Sequence, residues 1–132
     1  MPQISGWSHV SLSVRDRDAS AKWYSDLFGF KHLAAMNDQD GYVRTLLIHD
    51  SGAVLGLQQH DANDTSTFAP DRTGLDHLSF GVKTLEELQE WQAKLAELGV
   101  THTPITETLF GSVLCFRDPD DIQLELFFSP LL

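Results

Sequence analysis

The chain has a single cysteine, Cys115, so no disulfide can form within it and a reducing compartment is expected. Basic residues are scarce: nine Lys and Arg stand against nineteen Asp and Glu, for a net charge of −10. A chain so acidic offers no basic face to phosphates, which argues against nucleic acid and against an anionic membrane surface as partners. Apolar runs long enough to cross a bilayer are missing, as are a signal peptide and a lipidation motif. These absences leave the cytoplasm as the expected compartment and a small molecule as the expected partner. What remains is ordinary for a globular domain, with 132 residues, 42% of them hydrophobic, enough for one core.

The most informative feature present is a repeat. Ser8-His9-Val10-Ser11-Leu12-Ser13-Val14 recurs as Asp76-His77-Leu78-Ser79-Phe80-Gly81-Val82. A histidine opens each run, and apolar residues then alternate with small ones. His9 and His77 are 68 residues apart, and so are Trp23 and Trp91 in the helical patterns that follow.

Each copy reads as β-α-β-β-β. In the first, residues 4–14 form a strand and Asp16 or Asp18 caps a helix that runs to Phe28 and stops at Gly29. Strands follow at 30–36, 42–49 and 53–60, divided by Asn/Asp/Gly turns. In the second, a strand over 75–82 leads to Thr84-Leu85-Glu86-Glu87, a capping box in which Glu87 reaches back to the cap amide. The helix carries Leu85, Leu88, Trp91, Leu95 and Leu98 on one stripe and ends at Gly99. Strands are expected at 100–104, 110–117 and 121–128. The fold class is therefore α+β: one domain over 1–132 made of two tandem modules, about 4–60 and 75–128, joined by a polar loop over 61–74. Pairing two such modules would leave a concave surface shared by the curved sheets.

Alternation along the strands decides which residues line that surface. Leu78, Phe80 and Val82 face the helix, which turns His77 the other way. Ile122, Leu124, Leu126 and Phe128 do the same, which turns out Gln123, Glu125 and Phe127. His9 faces outward by the same rule. Two imidazoles and one carboxylate aimed at one surface suit a first-row divalent metal with positions left open for water or substrate.

Three stretches carry a resemblance: SHVSLSVRDRDASAKWYSDLFGF (8–30), LDHLSFGV (75–82) and FRDPDDIQLELF (116–127). The chain resembles the vicinal oxygen chelate superfamily, which includes glyoxalases, bleomycin and fosfomycin resistance proteins and extradiol dioxygenases. The resemblance implies a cleft between two modules, often in a homodimer, holding a divalent metal such as Fe, Mn, Ni, Co or Zn. The family's first-strand ligand falls on His9, its fifth-strand ligand on His77 and its last-strand ligand, also a catalytic group, on Glu125. The fourth-strand ligand of glyoxalases falls on Gly56, which has no side chain to ligate or to act as a base. Val113 and Cys115 stand on the seventh strand, where extradiol enzymes commonly carry a Tyr. No dense basic set is present to hold a phosphonate. The family's DPDG turn appears as Asp118-Pro119-Asp120-Asp121, and Asp tolerates the left-handed position well enough to keep the hairpin.

Gln58 and His60 share their strand face with Gly56 and are candidates for substrate contact, Gln58 also as a replacement ligand or a plain wall residue. Phe127 and Val54 give that surface an apolar part. Arg44 and Arg117 lie on strands too evenly apolar for alternation to assign a face. Either could hold a substrate carboxylate or pair on the surface. Cys115 reads as a small buried hydrophobe. Two functions follow: a small metal-dependent enzyme that chelates its substrate through adjacent oxygens, with lyase, isomerase or dioxygenase chemistry, or a metal-free binder of the bleomycin-resistance kind.

Overall fold

The computed structural model describes residues Met1–Leu132 and divides into two compact units, Met1–Ser66 and Thr67–Leu132. The first unit contains β1 (Val10–Ser13), α1 (Arg17–Phe28), β2 (Lys31–Met36), β3 (Tyr42–Ile48) and β4 (Val54–His60). Its four strands lie in the order β1-β4-β3-β2, with β1 parallel to β4 and the other pairs antiparallel. The second unit contains β5 (Leu78–Gly81), α2 (Leu85–Glu97), β6 (Thr106–Glu107), β7 (Ser112–Arg117) and β8 (Gln123–Phe128). The order β5-β8-β7-β6 repeats the first sheet, with β5 parallel to β8. The chain is α+β and built of two β-α-β-β-β modules, as the repeat predicts.

Both helices begin and end on the chemistry the sequence advertises. Asp16 Oδ1 accepts from the backbone N–H of Asp18 and Ala19, each at 3.1 Å, and Gly29 closes α1 in the left-handed conformation, φ 82°. Thr84 Oγ1 accepts from Glu87 N at 3.1 Å. Glu87 does not close the expected box on Thr84. Its Oε2 takes the N–H of Lys83 at 3.1 Å, one residue further back. Of the apolar stripe on α2, Leu88 and Leu95 are fully buried, whereas Leu85 and Leu98 are 39% and 56% exposed.

In each unit the helix covers one face of the sheet. Leu12, Val14, Tyr24, Leu27, Leu47, Leu55 and Leu57 form the first core, and Leu88, Leu95, Leu114, Phe116, Leu124 and Leu126 the second. The opposite face of each sheet is turned away from its helix. No helix is long and apolar enough to cross a membrane.

Two expected strands are corrected. Residues 4–9 are not in β1, because pairing starts at Val10 opposite Leu55, near the first residue of β4. Gly6, at φ 105°, also bends the chain away from an extended path. Residues 100–104 hold only an isolated bridge between His102 and Phe116, since Val100 N–H turns back to Leu95 O and Pro104 has no N–H to give. The sixth strand is instead the short Thr106–Glu107.

The turn Asp118–Asp121 survives without its glycine. Asp118 is buried and its Oδ1 accepts from Asp120 N at 2.8 Å and Ile122 N at 2.9 Å, while Asp121 takes φ 62°. This turn sets the register of β7 on β8, and a one-residue slip would move every outward side chain into the core.

Candidate functional site

The candidate site residues of the second unit come from β5, β7 and β8. In the ladder, Ser79 stands opposite Glu125 and Gly81 opposite Phe127 on one side of β8. Cys115 stands opposite Glu125 and Val113 opposite Phe127 on the other. Since Leu78, Phe80, Leu124 and Leu126 point to the helix side, Glu125 and Phe127 lie on the open face, as alternation requires.

His77 precedes β5 and reaches the same face. Its Nε2 is 3.4 Å from Glu125 Oε2, and its Nδ1 is 2.8 Å from Asp76 Oδ1. A carboxylate at Nδ1 orients the ring and leaves Nε2 turned to Glu125, an arrangement also found in metal-ligating histidines. Glu125 is largely buried, with a side chain 15% exposed, while the ring of His77 is 41% exposed. An imidazole nitrogen and a carboxylate oxygen converging at the edge of a sheet fit a divalent cation by their donor chemistry. Asp76 is not among the residues the sequence singles out, although a carboxylate directly before His77 is a readable signal.

Glu125 Oε1 faces a different neighbour, Cys115, whose Sγ lies 3.7 Å away and whose backbone N–H bonds to Thr103 Oγ1 at 3.0 Å. Burial pushes the Cys115 thiol up from its ordinary value, and the Glu125 charge and hydrogen bond add to the rise. A raised thiol carries less thiolate at neutral pH and is a poorer nucleophile. In chelator-treated protein Cys115 is therefore alkylated slowly by iodoacetamide, and Glu125→Gln speeds the reaction several-fold when followed by mass spectrometry. Equal rates would remove Glu125 as a cause.

In the first unit, Ser11 stands opposite Gly56 and Ser13 opposite Gln58. The position facing Ser11 thus corresponds to the position facing Ser79, and where the second unit has Glu125 the first has Gly56. A Cβ placed on Gly56 would fall on Ser11 Oγ, with Ser11 Cβ at 3.2 Å and Leu46 Cδ2 at 3.4 Å. His9 lies just ahead of β1, on the Ser11 side by alternation. Its Nδ1 meets Ser8 Oγ at 2.9 Å, which leaves Nε2 as the second donor of the ring.

Arg44, Gln58 and His60 come together on this same open face. Arg44 pairs with Gln58 and Tyr42 with His60 across β3 and β4. Arg44 Nε donates to Gln58 Oε1 at 2.7 Å, Arg44 Nη2 donates to the same oxygen, and Gln58 Nε2 lies 3.2 Å from His60 Nε2. Arg117 also shares a face with the proposed donors, opposite Gln123, but its Nη1 is spent on Asp121 O at 3.0 Å. Neither unit by itself gathers three or more His, Cys, Asp or Glu side chains into a metal-holding group.

Two tandem β-α-β-β-β modules, each with a histidine just ahead of its first strand, define a class of small α+β proteins. Residues 6–126 match the model of the Glyoxalase/Bleomycin resistance protein/Dioxygenase superfamily, and the chain belongs to that superfamily. It is 38% identical to a glyoxylase/bleomycin resistance protein/dioxygenase domain from Frankia sp. EAN1pec, with a TM-score of 0.88 over 96% of this chain and 99% of that one. The fosfomycin resistance protein FosX from Listeria monocytogenes, in a structure with Mn(II) and sulfate ion, shares the fold at 22% identity. Its TM-score is 0.70 over 98% of this chain and 96% of that one. The putative ring-cleaving dioxygenase MhqA of Bacillus subtilis (strain 168) is 24% identical over 122 residues, 92% of this chain. The chain spans 39% of that relative's length.

Proposed function

We propose that this chain is a metal-dependent enzyme of small molecules, acting in the cytoplasm as a homodimer, with a divalent cation held by His9, His77 and Glu125. Mn, Fe, Co, Ni or Zn each suit this borderline donor set. The observation that carries the reading is the His77–Glu125 pair at 3.4 Å, with Asp76 orienting the ring from behind. When bound, such a cation polarises substrate oxygens and stabilises negative charge that develops on them. A substrate with two adjacent oxygens would be gripped through both. The name of MhqA and the Mn(II) in the FosX structure are in keeping with this class of chemistry.

The chain's own groups divide the remaining tasks. Glu125 Oε2 faces His77, and Oε1 accepts from the Cys115 thiol. Ser79 and Gly81 beside it are small and leave room for a ligand. Gly56 removes the second carboxylate that a two-base proton shuffle would use, which favours lyase, isomerase or dioxygenase chemistry run with one carboxylate. The same glycine supports a second reading, a metal-free binder that uses Val54 and Phe127 as apolar walls.

Elemental analysis of the purified chain separates the two. The enzyme reading expects about one divalent metal per chain. A chain that carries no divalent metal and takes up none of Mn(II), Fe(II), Co(II), Ni(II) or Zn(II) would favour the binder.

A further inference from the structure

Arg44 is a guanidinium with only neutral partners. It is half-buried on the open face of the first sheet, in a chain whose net charge is −10. One oxygen, Gln58 Oε1, takes both its Nε and its Nη2. The Tyr42 ring lies under it, with the guanidinium carbon 5.6 Å from the ring centroid. Arginine carries its N–H groups in a planar fork with two usable edges. The side edge is taken by Gln58, and the end edge, Nη1 with the outer N–H of Nη2, is the one a carboxylate grips with both oxygens.

The fork is also held still. Arg17, at the start of α1, sends its Nη1 to Arg44 O at 3.0 Å and to Met36 O at 3.4 Å, and its backbone N–H binds Gln59 Oε1 at 3.0 Å. One residue thus ties β2, β3 and β4 together behind Arg44. Because arginine only donates, Gln58 must present its oxygen to Arg44 and its NH₂ to His60 Nε2. The amide orientation and the His60 tautomer are therefore both set by the guanidinium. Around the fork, the same sheet face carries Met36, Leu46 and Tyr42, which are apolar or aromatic.

We propose that this face recognises an acid: the substrate carries a carboxylate on an apolar or aromatic body, gripped by the end edge of Arg44. Gln58 and His60 position the fork and do not grip the acid. The proposal deepens the enzyme reading by naming its substrate class, and it does not need the metal for its test.

The test is calorimetric titration of the chelator-treated full chain with benzoate, its neutral isostere benzamide, and phenylphosphonate. Benzoate should bind on the order of 10- to 100-fold more tightly than benzamide, the worth of one charge-assisted pair. Arg44→Gln should abolish that preference, and Arg44→Lys, which keeps the charge and loses the fork, should retain only part of it. Mn(II) affinity of both variants should stay within about twofold of wild type, because Arg44 contacts none of the proposed metal donors. Equal binding of benzoate and benzamide, no benzoate binding at all, or an unchanged preference in Arg44→Lys each overturns the proposal. Preference for phenylphosphonate over benzoate overturns the carboxylate assignment. Loss of metal affinity in wild type with benzoate binding intact would sink the enzyme reading and leave the acid site standing.

Discussion

His77→Ala is expected to leave the chain folded and to weaken divalent-metal binding by more than 100-fold, on the reasoning that losing a direct donor costs more than the ~10- to 100-fold typical of a supporting residue. The fold should persist because His77 precedes β5 and is exposed, while the half-buried side chains of that strand are Leu78 and Phe80. Asp76→Asn keeps the ring but weakens its hold on Nδ1–H, and a loss of about 10- to 100-fold is expected there. Glu125→Gln keeps the shape and removes the charge, so it should resemble His77→Ala in metal affinity. Titration with Mn(II), Co(II) or Ni(II) and a far-ultraviolet circular dichroism melt read the two effects separately. A folded His77→Ala chain with wild-type affinity would remove the second module from the metal site.

Gly56→Glu is the converse experiment, a gain. Ser11 faces Gly56 in the same ladder position in which Ser79 faces Glu125, so the second module already shows that a serine and a glutamate are compatible there. The new Cβ would meet Ser11 Oγ, a hydroxyl that can rotate away, while Ser11 Cβ at 3.2 Å must give slightly and Leu46 Cδ2 at 3.4 Å is at the edge of ordinary contact. The variant should fold and add a carboxylate to the face that carries His9. One further anionic donor should raise Mn(II) affinity by roughly tenfold. Ser11→Ala with Gly56→Glu serves as the control for the hydroxyl. If that double variant folds and binds metal no more tightly than wild type, position 56 is not part of the site.

The repeat made most of this frame readable before any coordinates. In β4, β5 and β8 apolar and small or polar residues alternate, so the outward direction of Glu125 and Gln58 could be read directly. In β3 the pattern fails: Thr45 is buried at 4% exposure while Tyr42 and Leu46 occupy the open face. Arg44 could be placed only through its pairing with Gln58. β7 misleads in the same way, because Ser112 is buried and satisfied by Glu107 Oε1 at 2.7 Å. His49 carried no local signal. Its Nε2 meets Phe28 O at 3.0 Å, a partner that exists only once the helix has docked. Strand ends were overextended wherever an alternating stretch ran past its partner, as at residues 4–9.

The pairing of Ser11 with Gly56 has a consequence for descent. A duplicated frame holds two copies of the same ladder position, and only one of them now bears a donor. Gly56 is itself buried, and a side chain there presses on Ser11 and Leu46, so a ligand can be added at this position only if those neighbours adjust. Relatives of this chain should be sorted by what they carry at this position, and a change there should be accompanied by a change at position 11.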